Sequence, residues 1–524
     1  MRNCLLYINT LRYLKWIQIY YRVLYSCKKR FRLKQRFPLK SVPVDLKIPL
    51  LKPFPPSNVS LRGTTFTFLN REYSFESIDW DFQGYGKLWT YNLNYFEFLH
   101  QPGMNAETGL KLIRDYISKQ SPRSTGQQSY PSSLRIINWI KFISVHGIQD
   151  SLINAFLWNN LQHLSMNPEY HLLGNHILEN GIALLWGALW YQDSQWLKQA
   201  EGILKRELEE QILPDGAHFE LSPMYHQIIL HRLIDTWNLL TSNPTYGTSL
   251  QVFLQPYLIR MIHWIKQMTF ANGDIPLFND AANGIAPDTR TLLGYASILG
   301  IAIQNDTIEP LRESGYHRFN SDRYEMILDT GPIGPDYNPG HGHCDMFSFV
   351  LYHQGIPLIV DTGTSTYERN VRRLEERKTA AHNTVGIDGM EQSDVWGSHR
   401  VGRRARIKVE NVHASGVCAS HDGFKRKGIT HKRDLSFAPD QIVISDHLDG
   451  AARTPATAYL HFHPDIQPIL NGQGIIARSS NFQFEGAEQI MLNTYHYAPA
   501  FNLLIPGVVA EIKFWNLLST LIHL

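Results

Sequence analysis

The chain of 524 residues is too long for one ordinary hydrophobic core, and its length alone predicts two or three domains. Its 43% hydrophobic and 19% charged residues exclude an intrinsically disordered protein. The net charge of +3 is unevenly distributed, because residues 1–44 contain eleven Lys or Arg and no Asp or Glu, which leaves −8 for the rest. Aromatic residues make up 12% of the chain, which suits either a packed helical core or the binding of flat ligands such as sugars.

The cysteines lie far apart and without paired spacing. The sequence therefore indicates neither a disulfide framework nor a zinc ribbon, and it leaves the compartment open. They are Cys4, Cys27, Cys344 and Cys418.

Residues 1–44 form a basic, aromatic-rich arm that includes "YLKWIQIYYRVLYSCKKRFRLKQRF". Its mixture of cations and aromatics is typical of a segment that lies on an anionic membrane or polyanion surface. A helix that packs against the body through its aromatics would show the same pattern, and both interpretations stay open. The arm is not a convincing signal peptide, and no stretch of the chain approaches the ~20 apolar residues of a membrane span.

A linker or wrapping segment is predicted for residues 45–78, because "LKIPLLKPFPPSNVS" is too rich in proline for regular structure. The next region, residues 79–315, carries apolar residues at three- and four-residue spacing, as in "HILENGIALLWGALWY". Successive helical hairpins of this kind predict an α/α bundle or toroid.

The periodicity changes near Arg323, and residues 320–524 read as strands separated by turn residues. Segments such as "YEMILDTGP" and "HKRDLSFAPDQIVISDHLDG" follow one another with no helix between them, which predicts an antiparallel β-sandwich. The last segment, "FNLLIPGVVAEIKFWNLLSTLIHL", differs from these strands and supports no assignment.

Two polar blocks fall within the helical region. In "HLLGNHILENGIAL", Asn175 precedes His176 and Glu179, whose i, i+3 spacing puts them on one helix face. Such a pair could be a base with its orienting carboxylate, half of a metal site, or an exposed ion pair. In "FELSPMYH", Pro223 predicts a helix start, so that Tyr225 would feel the positive end of the helix dipole, which favours phenolate character.

A third block, "NPGHGHCDMFSFVLYHQGIPLIVDTGT", places His341 and His343 two residues apart. On a β-strand both side chains would point to the same face. Asp361 follows at a strand end, and His382 follows in "TAAHNTV". Imidazole nitrogens with a carboxylate suit zinc better than calcium.

These motifs together resemble the heparinase II/III-like domain of polysaccharide lyases, which include heparinases II and III and related alginate lyases. The resemblance rests on "GHGHCDMFSF", "LIVDTGTSTY" and "TAAHNTV", and on "GNHILENG" and "FELSPMYH" in the helical region. It covers roughly residues 80 to 465. It implies an N-terminal α/α toroid followed by a C-terminal antiparallel β-sandwich, with the active site between them.

The resemblance also implies a role for each motif residue. Asn175 would help to neutralise the substrate carboxylate, Tyr225 would be the catalytic acid/base, and His341 would reach the active site. His176 and Glu179 would line the same cleft. One structural zinc ion would be held by His343, Asp361 and His382.

The expected function is therefore β-elimination from an acidic, uronate-containing polysaccharide, with no nucleic-acid partner. The family resemblance favours the periplasm or cell envelope, although the lack of a clear signal peptide keeps the cytoplasm open. Contact of the arm with a membrane also stays open. Two other functions are considered, namely a zinc-dependent hydrolase and a catalytically idle glycan-binding protein.

Overall fold

The computed structural model describes residues 2–30, 50–121, 124–244, 248–303, 310–387, 389–450 and 453–524. Most of the second half of the predicted arm and the first residues of the predicted linker lie outside these ranges. Within the described ranges, no helix is both long enough and apolar enough to cross a membrane.

The helical part runs from Lys87 to Ile298, and its helices begin where the sequence offers caps. The side chains of Asp150, Asp193 and Asp288 each accept a hydrogen bond from a backbone N–H in the first turn of the helix that follows. The helices are α3 Lys87–Tyr95, α4 Ala106–Lys119, α5 Ser129–Val145, α6 Ser151–Met166, α7 Asn175–Tyr191, α8 Ser194–Gln211, α9 Pro223–Ser242, α10 Thr248–Gln267 and α11 Thr289–Ile298.

Inner and outer helices have different burial patterns. Every residue of α7 except His176 is buried, and α5 and α9 are buried over most of their length. Helix α8 instead buries one face, with Trp196, Ala200 and Leu204, and packs that face on α7, while α10 packs on α9. This layering of amphipathic helices around apolar ones is the α/α toroid that the sequence predicts, and the prediction is confirmed.

The predicted linker or wrapping segment contains a small sheet at residues 61–74, beyond the proline-rich stretch for which the sequence excludes regular structure. The strands are β1 Leu61–Arg62, β2 Thr65–Phe68 and β3 Arg71–Ser74, paired antiparallel. Leu69 and Asn70 both have positive φ, as a two-residue hairpin turn requires. The sheet is stabilised by Phe66, which is fully buried against aromatic rings of the toroid. Residues 50–60 have no regular element, in agreement with their proline content.

The C-terminal part is a sandwich of two antiparallel sheets, which confirms the predicted fold class. One sheet has the order β4-β5-β6-β7, and the main path of the other is β11-β12-β13-β14-β19-β18-β17-β16, with β15 and β8 branching from β19. Their inner faces share one core. The strands are β4 Tyr316–Asn320, β5 Tyr324–Asp329, β6 Phe349–His353, β7 Ile356–Ile359, β8 Val385–Ile387, β9 Val395–Trp396, β10 Arg400–Val401, β11 Ile407–His413, β12 Gly416–His421, β13 Thr430–Ala438, β14 Gln441–Asp449, β15 Ala456–His461, β16 Ile469–Asn471, β17 Gly474–Ala477, β18 Ser480–Tyr497 and β19 Ile505–His523; a short helix, α12 Val371–Glu376, lies between β7 and β8.

The described part of the arm is helical and packs on the body. Helix α1, Arg2–Leu11, lies on the hairpin β9–β10, and helix α2, Trp16–Arg30, lies on the toroid. For residues 2–30 the structure therefore shows helices that pack on the body, which is one of the two interpretations that the sequence leaves open. Some apolar surface stays exposed, since Trp16 is 85% accessible.

Candidate active site

Two loops from different domains meet beside the start of α9. The backbone N–H of Asp280, in the toroid, donates to the carbonyl of His341 at 3.1 Å, and the N–H of His343 donates to Asn279 Oδ1 at 2.9 Å. The two histidines lie in a loop that precedes β6, so the strand geometry considered for them does not apply. The apolar run that follows is the hairpin β6–β7 and not one strand. Contacts with the toroid, rather than strand periodicity, orient the two imidazoles.

Asp280 binds both of these histidines. Its Oδ2 lies 2.8 Å from His341 Nδ1, and its Oδ1 lies 2.8 Å from His343 Nε2. Arg373 donates to both oxygens, with Nη2 at 2.6 Å from Oδ2. Burial alone would raise the pKa of Asp280, but Arg373 and the histidines hold it well below its usual range. An ionised Asp280 accepts a hydrogen bond from one ring nitrogen of each histidine, so Nδ1 of His341 is a donor and Nε2 is the nitrogen that stays available to the cleft.

Tyr225 lies against His341. The Ser222 hydroxyl caps α9 by accepting from the Tyr225 N–H at 3.4 Å, and the ring centroids of Tyr225 and His341 are 4.0 Å apart. The Tyr225 and Tyr367 hydroxyl oxygens are 3.3 Å apart. Burial raises the pKa of Tyr225 well above its usual range, and this outweighs the effect of the helix dipole. The structure therefore opposes the expected phenolate character, because a tyrosine buried in this way keeps its phenolic proton.

His176 and Glu179 do not form a pair, contrary to the prediction from their spacing. His176 Nδ1 lies 3.3 Å from the Glu169 carboxylate, whereas Glu179, fully buried, accepts from Arg232 Nε at 3.3 Å. Helix α7 is covered on almost every side, so partners from neighbouring elements replace the i, i+3 contact. Glu179 lies beneath the cleft and not along it, and burial raises the pKa of its carboxyl to about 7.

Asn175 is the first residue of α7, and its position depends on Gly174. The φ of Gly174 is +61°, and a Cβ there would come within 2.6 Å of Asn338 Nδ2. The backbone N–H of Asn175 donates to the Glu220 carboxylate, which lies 3.8 Å from His341 Nε2. Burial raises the pKa of Glu220. The start of α7 thus borders the same cleft as Tyr225 and His341.

The predicted metal ligands are close together behind the cleft. His382 Nδ1 bonds Asp361 Oδ2 at 2.8 Å, and the rings of His343 and His382 are 5.3 Å apart. Buried polar atoms with no hydrogen-bond partner face this region, namely His343 Nδ1, His382 Nε2 and Asp345 Oδ2. Such atoms are costly unless something binds them, and two imidazoles with carboxylates are ligands that zinc accepts. These residues fit a metal ion.

A different triad brings its ligand atoms closer together. Among the described residues, atoms of Asp280, His341 and His399 lie within 4.8 Å of one another, so the structure does contain a group that could hold a metal. Asp280, however, already binds the Arg373 guanidinium, whose charge would repel a cation there. The chemistry of the donor atoms favours the site behind the cleft.

Sequence reasoning missed Asp280, Arg373, Tyr367 and His399 as site residues. Asp280 and Arg373 are separated by 93 positions, and no local spacing in "LFNDAANG" or "NVRRLEERK" marks their pairing. Tyr367 could have been found, because it ends the quoted motif "LIVDTGTSTY". His399 lies in the turn of the hairpin β9–β10, with its ring 5.0 Å from that of Tyr367.

Two family models match most of the body of the chain. The model for the heparinase II/III N-terminus matches residues 127–297, and the model for the heparinase II/III-like C-terminal region matches residues 304–511. A heparin-sulfate lyase from Bacteroides stercoris is 24% identical over 370 residues, which are 63% of this chain and 52% of that protein. The chain thus spans about half the length of this curated relative.

Solved structures show the same two-part fold. A heparinase III gene product superposes with a TM-score of 0.64 at 17% identity, over 86% of this chain and 81% of the other. A mutant heparan sulfate lyase from Pedobacter heparinus gives 0.61 at 16% identity, over 88% and 81%. With matching models for both domains and the same architecture, the chain belongs to the heparinase II/III-like family.

Proposed function

We propose that the protein is a polysaccharide lyase that cleaves an acidic, uronate-containing glycan by β-elimination. The observation that carries the proposal is the close contact between the rings of Tyr225 and His341, whose Nδ1 is fixed by Asp280. A proton donor and a proton acceptor thus lie side by side in one cleft. The family relatives named as heparin-sulfate and heparan sulfate lyases support a glycosaminoglycan as the first substrate class to test.

The reaction removes the C5 proton of the uronate and expels the oxygen at C4. That proton is very weakly acidic until hydrogen-bond donors neutralise the neighbouring carboxylate. Asn175 at the start of α7 has the right chemistry for this role. His176, with its side chain 30% accessible, lines the cleft nearby.

Two residues handle the protons in this proposal. His341 accepts the C5 proton at Nε2 in this proposal, because its Nδ1 donates to Asp280. Tyr225, protonated because of its burial, gives its phenolic proton to the departing glycosidic oxygen. The C5–H and C4–O bonds break as the C4–C5 double bond forms, and a proton returned from His341 to Tyr225 would restore the starting state.

We propose zinc as the metal, held by His343, Asp361 and His382. A structural zinc ion contributes folding free energy directly and would brace the loop that carries His341. All three ligands are at most 1% accessible. A catalytic zinc keeps one position open to substrate, so this burial favours the lyase over a zinc-dependent hydrolase.

Incubation with heparan sulfate, hyaluronan, chondroitin and alginate tests the proposal. The expected result is the ultraviolet absorbance of an unsaturated uronate with at least one of these glycans. New reducing ends without that absorbance would show hydrolysis, and binding without either product would show an idle glycan-binding protein. By family likeness we also propose the periplasm or cell envelope as the location, which cell fractionation would test.

A further inference from the structure

The inner face of helix α2 is bound to the toroid by polar contacts. Gln18, which is buried, donates from Nε2 to the carbonyl of Leu172 at 3.1 Å. The Tyr25 hydroxyl donates to the carbonyl of Pro168 at 2.6 Å. Tyr21, on the same face, packs against an aromatic ring of the toroid. The side of α2 that faces the body is therefore polar and aromatic, and hydrogen bonds fix it there.

The outer face of α2 is apolar, which is the reverse of the usual arrangement. Trp16, Tyr20 and Val23 follow one another at four- and three-residue spacing, so they share one side of the helix. With about 3.6 residues per turn, that side is opposite to the one that carries Gln18 and Tyr25. All three side chains are exposed, and Val23 is 58% accessible. A helix on the surface of a protein in water normally turns its apolar side to the core.

Helix α1 continues this pattern. Leu5, Ile8 and Leu11 are exposed at three-residue spacing, while the packed side of the helix contacts the hairpin β9–β10. No other described segment as short as residues 5–23 holds as many exposed large apolar side chains. Apolar surface concentrated in this way marks a binding surface, whereas single exposed apolar residues are ordinary.

The charge of the arm indicates what covers this face. Residues 2–30 contain seven Lys or Arg and no Asp or Glu, and Arg12, Arg22 and Arg30 are exposed. A second copy of the same face would place these cations against one another. Residues 31–44 would do the same, because they add four cations and no acid. The occupant that complements this face is therefore apolar and anionic at once.

A membrane with anionic lipids has both properties. Its acyl chains take up apolar side chains at the lipid–water boundary, and its acidic headgroups attract cations. Tryptophan and tyrosine favour this boundary, which suits Trp16 and Tyr20. A polysaccharide would match the charge alone, because it offers no apolar phase to Ile8 or Val23.

We propose that the outer faces of α1 and α2 bind the surface of a membrane that contains anionic phospholipids. The helices would lie in the lipid–water boundary and not cross it. Packing on the body uses the inner faces and leaves the outer faces for the membrane, so the two interpretations of the arm are compatible. The inference does not depend on the proposed lyase activity.

Cosedimentation of the full chain with lipid vesicles tests this inference. At about 50 mM salt, the wild type should bind vesicles that contain phosphatidylglycerol at least about tenfold more tightly than vesicles of phosphatidylcholine alone, because each cation near the surface adds to the attraction. Trp16→Ser and Val23→Ser should each weaken this binding about tenfold, because each removes an apolar side chain from the lipid boundary.

Val252→Ser is the matched control, because Val252 is 72% accessible on α10, outside the arm. It should leave the Kd for the vesicles within about twofold of the wild-type value. Thermal melting should show that all three serine variants stay folded, since the substituted side chains are exposed. Equal weakening by Val23→Ser and Val252→Ser would overturn the inference.

Trp16→Phe separates insertion of the helix from attraction by charge alone. Among the described residues, Trp16 is the one exposed tryptophan, so brominated lipids should quench its fluorescence when the helix enters the boundary. The variant should bind within about threefold of the wild type, because phenylalanine is also apolar, but it should lose most of the quenching.

Other occupants of the face would give different results. A folded wild type that does not bind phosphatidylglycerol vesicles would overturn the inference. A dimer in sedimentation equilibrium that Trp16→Ser dissociates would also overturn it, because the face would then bind a second copy. Heparin binding that falls in Val23→Ser while vesicle binding stays unchanged would assign the face to a polysaccharide instead.

Discussion

The carboxylate of Asp280 sets the hydrogen bonding of two histidines with different expected tasks. One oxygen orients His341 toward the cleft, the other binds His343 beside the proposed metal site, and Arg373 neutralises both. Because Asp280 belongs to the toroid and the histidines to the sandwich, the alignment of the two domains determines the geometry of the site.

Asp280→Asn should lower both stability and turnover. The variant keeps the shape of the side chain but leaves the buried Arg373 without its counter-charge, a change that typically costs about 3–5 kcal/mol of unfolding free energy. Chemical denaturation measures this loss, and the rate of product formation should fall in the fraction that stays folded. Glu488→Gln, which breaks the exposed ion pair with Arg453, is the control and should cost about 0–1 kcal/mol. Equal losses in both variants would contradict the role given to Asp280.

Glu179 should give stability a defined pH dependence. Its pKa of about 7 in the folded protein exceeds the value of about 4.3 in an unfolded chain, so the folded state binds the extra proton between these values. The stability contributed by this group is fully present below about pH 4 and is lost as the pH rises through about 7.

Glu179→Gln stays neutral at every pH and should therefore lose less stability than the wild type as the pH rises from about 4.5 to 7.5. The difference in unfolding free energy should change by up to about 3 kcal/mol, since each tenfold change in proton affinity is worth about 1.4 kcal/mol. Urea denaturation at a series of pH values measures it, with Glu410→Gln as a control for the loss of an exposed carboxylate. A constant difference across that range would contradict the raised pKa.

The two neighbouring histidines should respond differently to truncation. His343→Ala should lower bound zinc and thermal stability together, because a structural metal stabilises the fold directly. His341→Ala should keep the metal and lose activity. Elemental analysis and thermal melting distinguish the two variants, and an equal loss of zinc in both would show that the division of roles is wrong.

Among the secondary-structure elements, the arm and the longest strands are those that local sequence patterns do not predict. The helices of the toroid follow from apolar spacing and caps, but β19, Ile505–His523, was not assigned, because "FWNLLSTLIHL" has no alternation or β-branched run that marks a strand. Its long pairing with β18 supplies the hydrogen bonds that override local preference. The small sheet β1–β3, which lies next to the proline-rich segment, is likewise not predicted from the sequence.

Removal of residues 1–44 should destabilise the protein. The deletion uncovers the surfaces that α1 and α2 bury, including Trp396 and Tyr170, so the melting temperature and the solubility should both fall. Differential scanning calorimetry and sedimentation measure these two effects. An unchanged melting temperature with lost binding to anionic vesicles would instead favour a surface-attachment role for the arm.

For the whole molecule, the sequence predicts a toroid followed by a sandwich, and the structure confirms both. The motif residues Asn175, Tyr225 and His341 border one cleft, and His343, Asp361 and His382 lie together behind it, while their chemical roles stay predictions. What the sequence could not supply are the partners that join the two domains, because Asp280 and Arg373 act through contacts between distant segments. The ionisation of a side chain also depends on its burial in the folded protein. Burial raises the pKa of Tyr225, which opposes the phenolate character that its place at a helix start predicts.

The rate of unsaturated uronate formation by Tyr225→Phe tests the central claim most directly. The change removes only the phenolic oxygen, so the substrate Kd, the melting temperature and the zinc content should equal those of the wild type. General acid catalysis typically contributes about 10²- to 10⁴-fold, and we expect the rate on the preferred glycan to fall by that factor. A variant that keeps more than about half of the wild-type rate would exclude Tyr225 as the proton donor and contradict the account of this site.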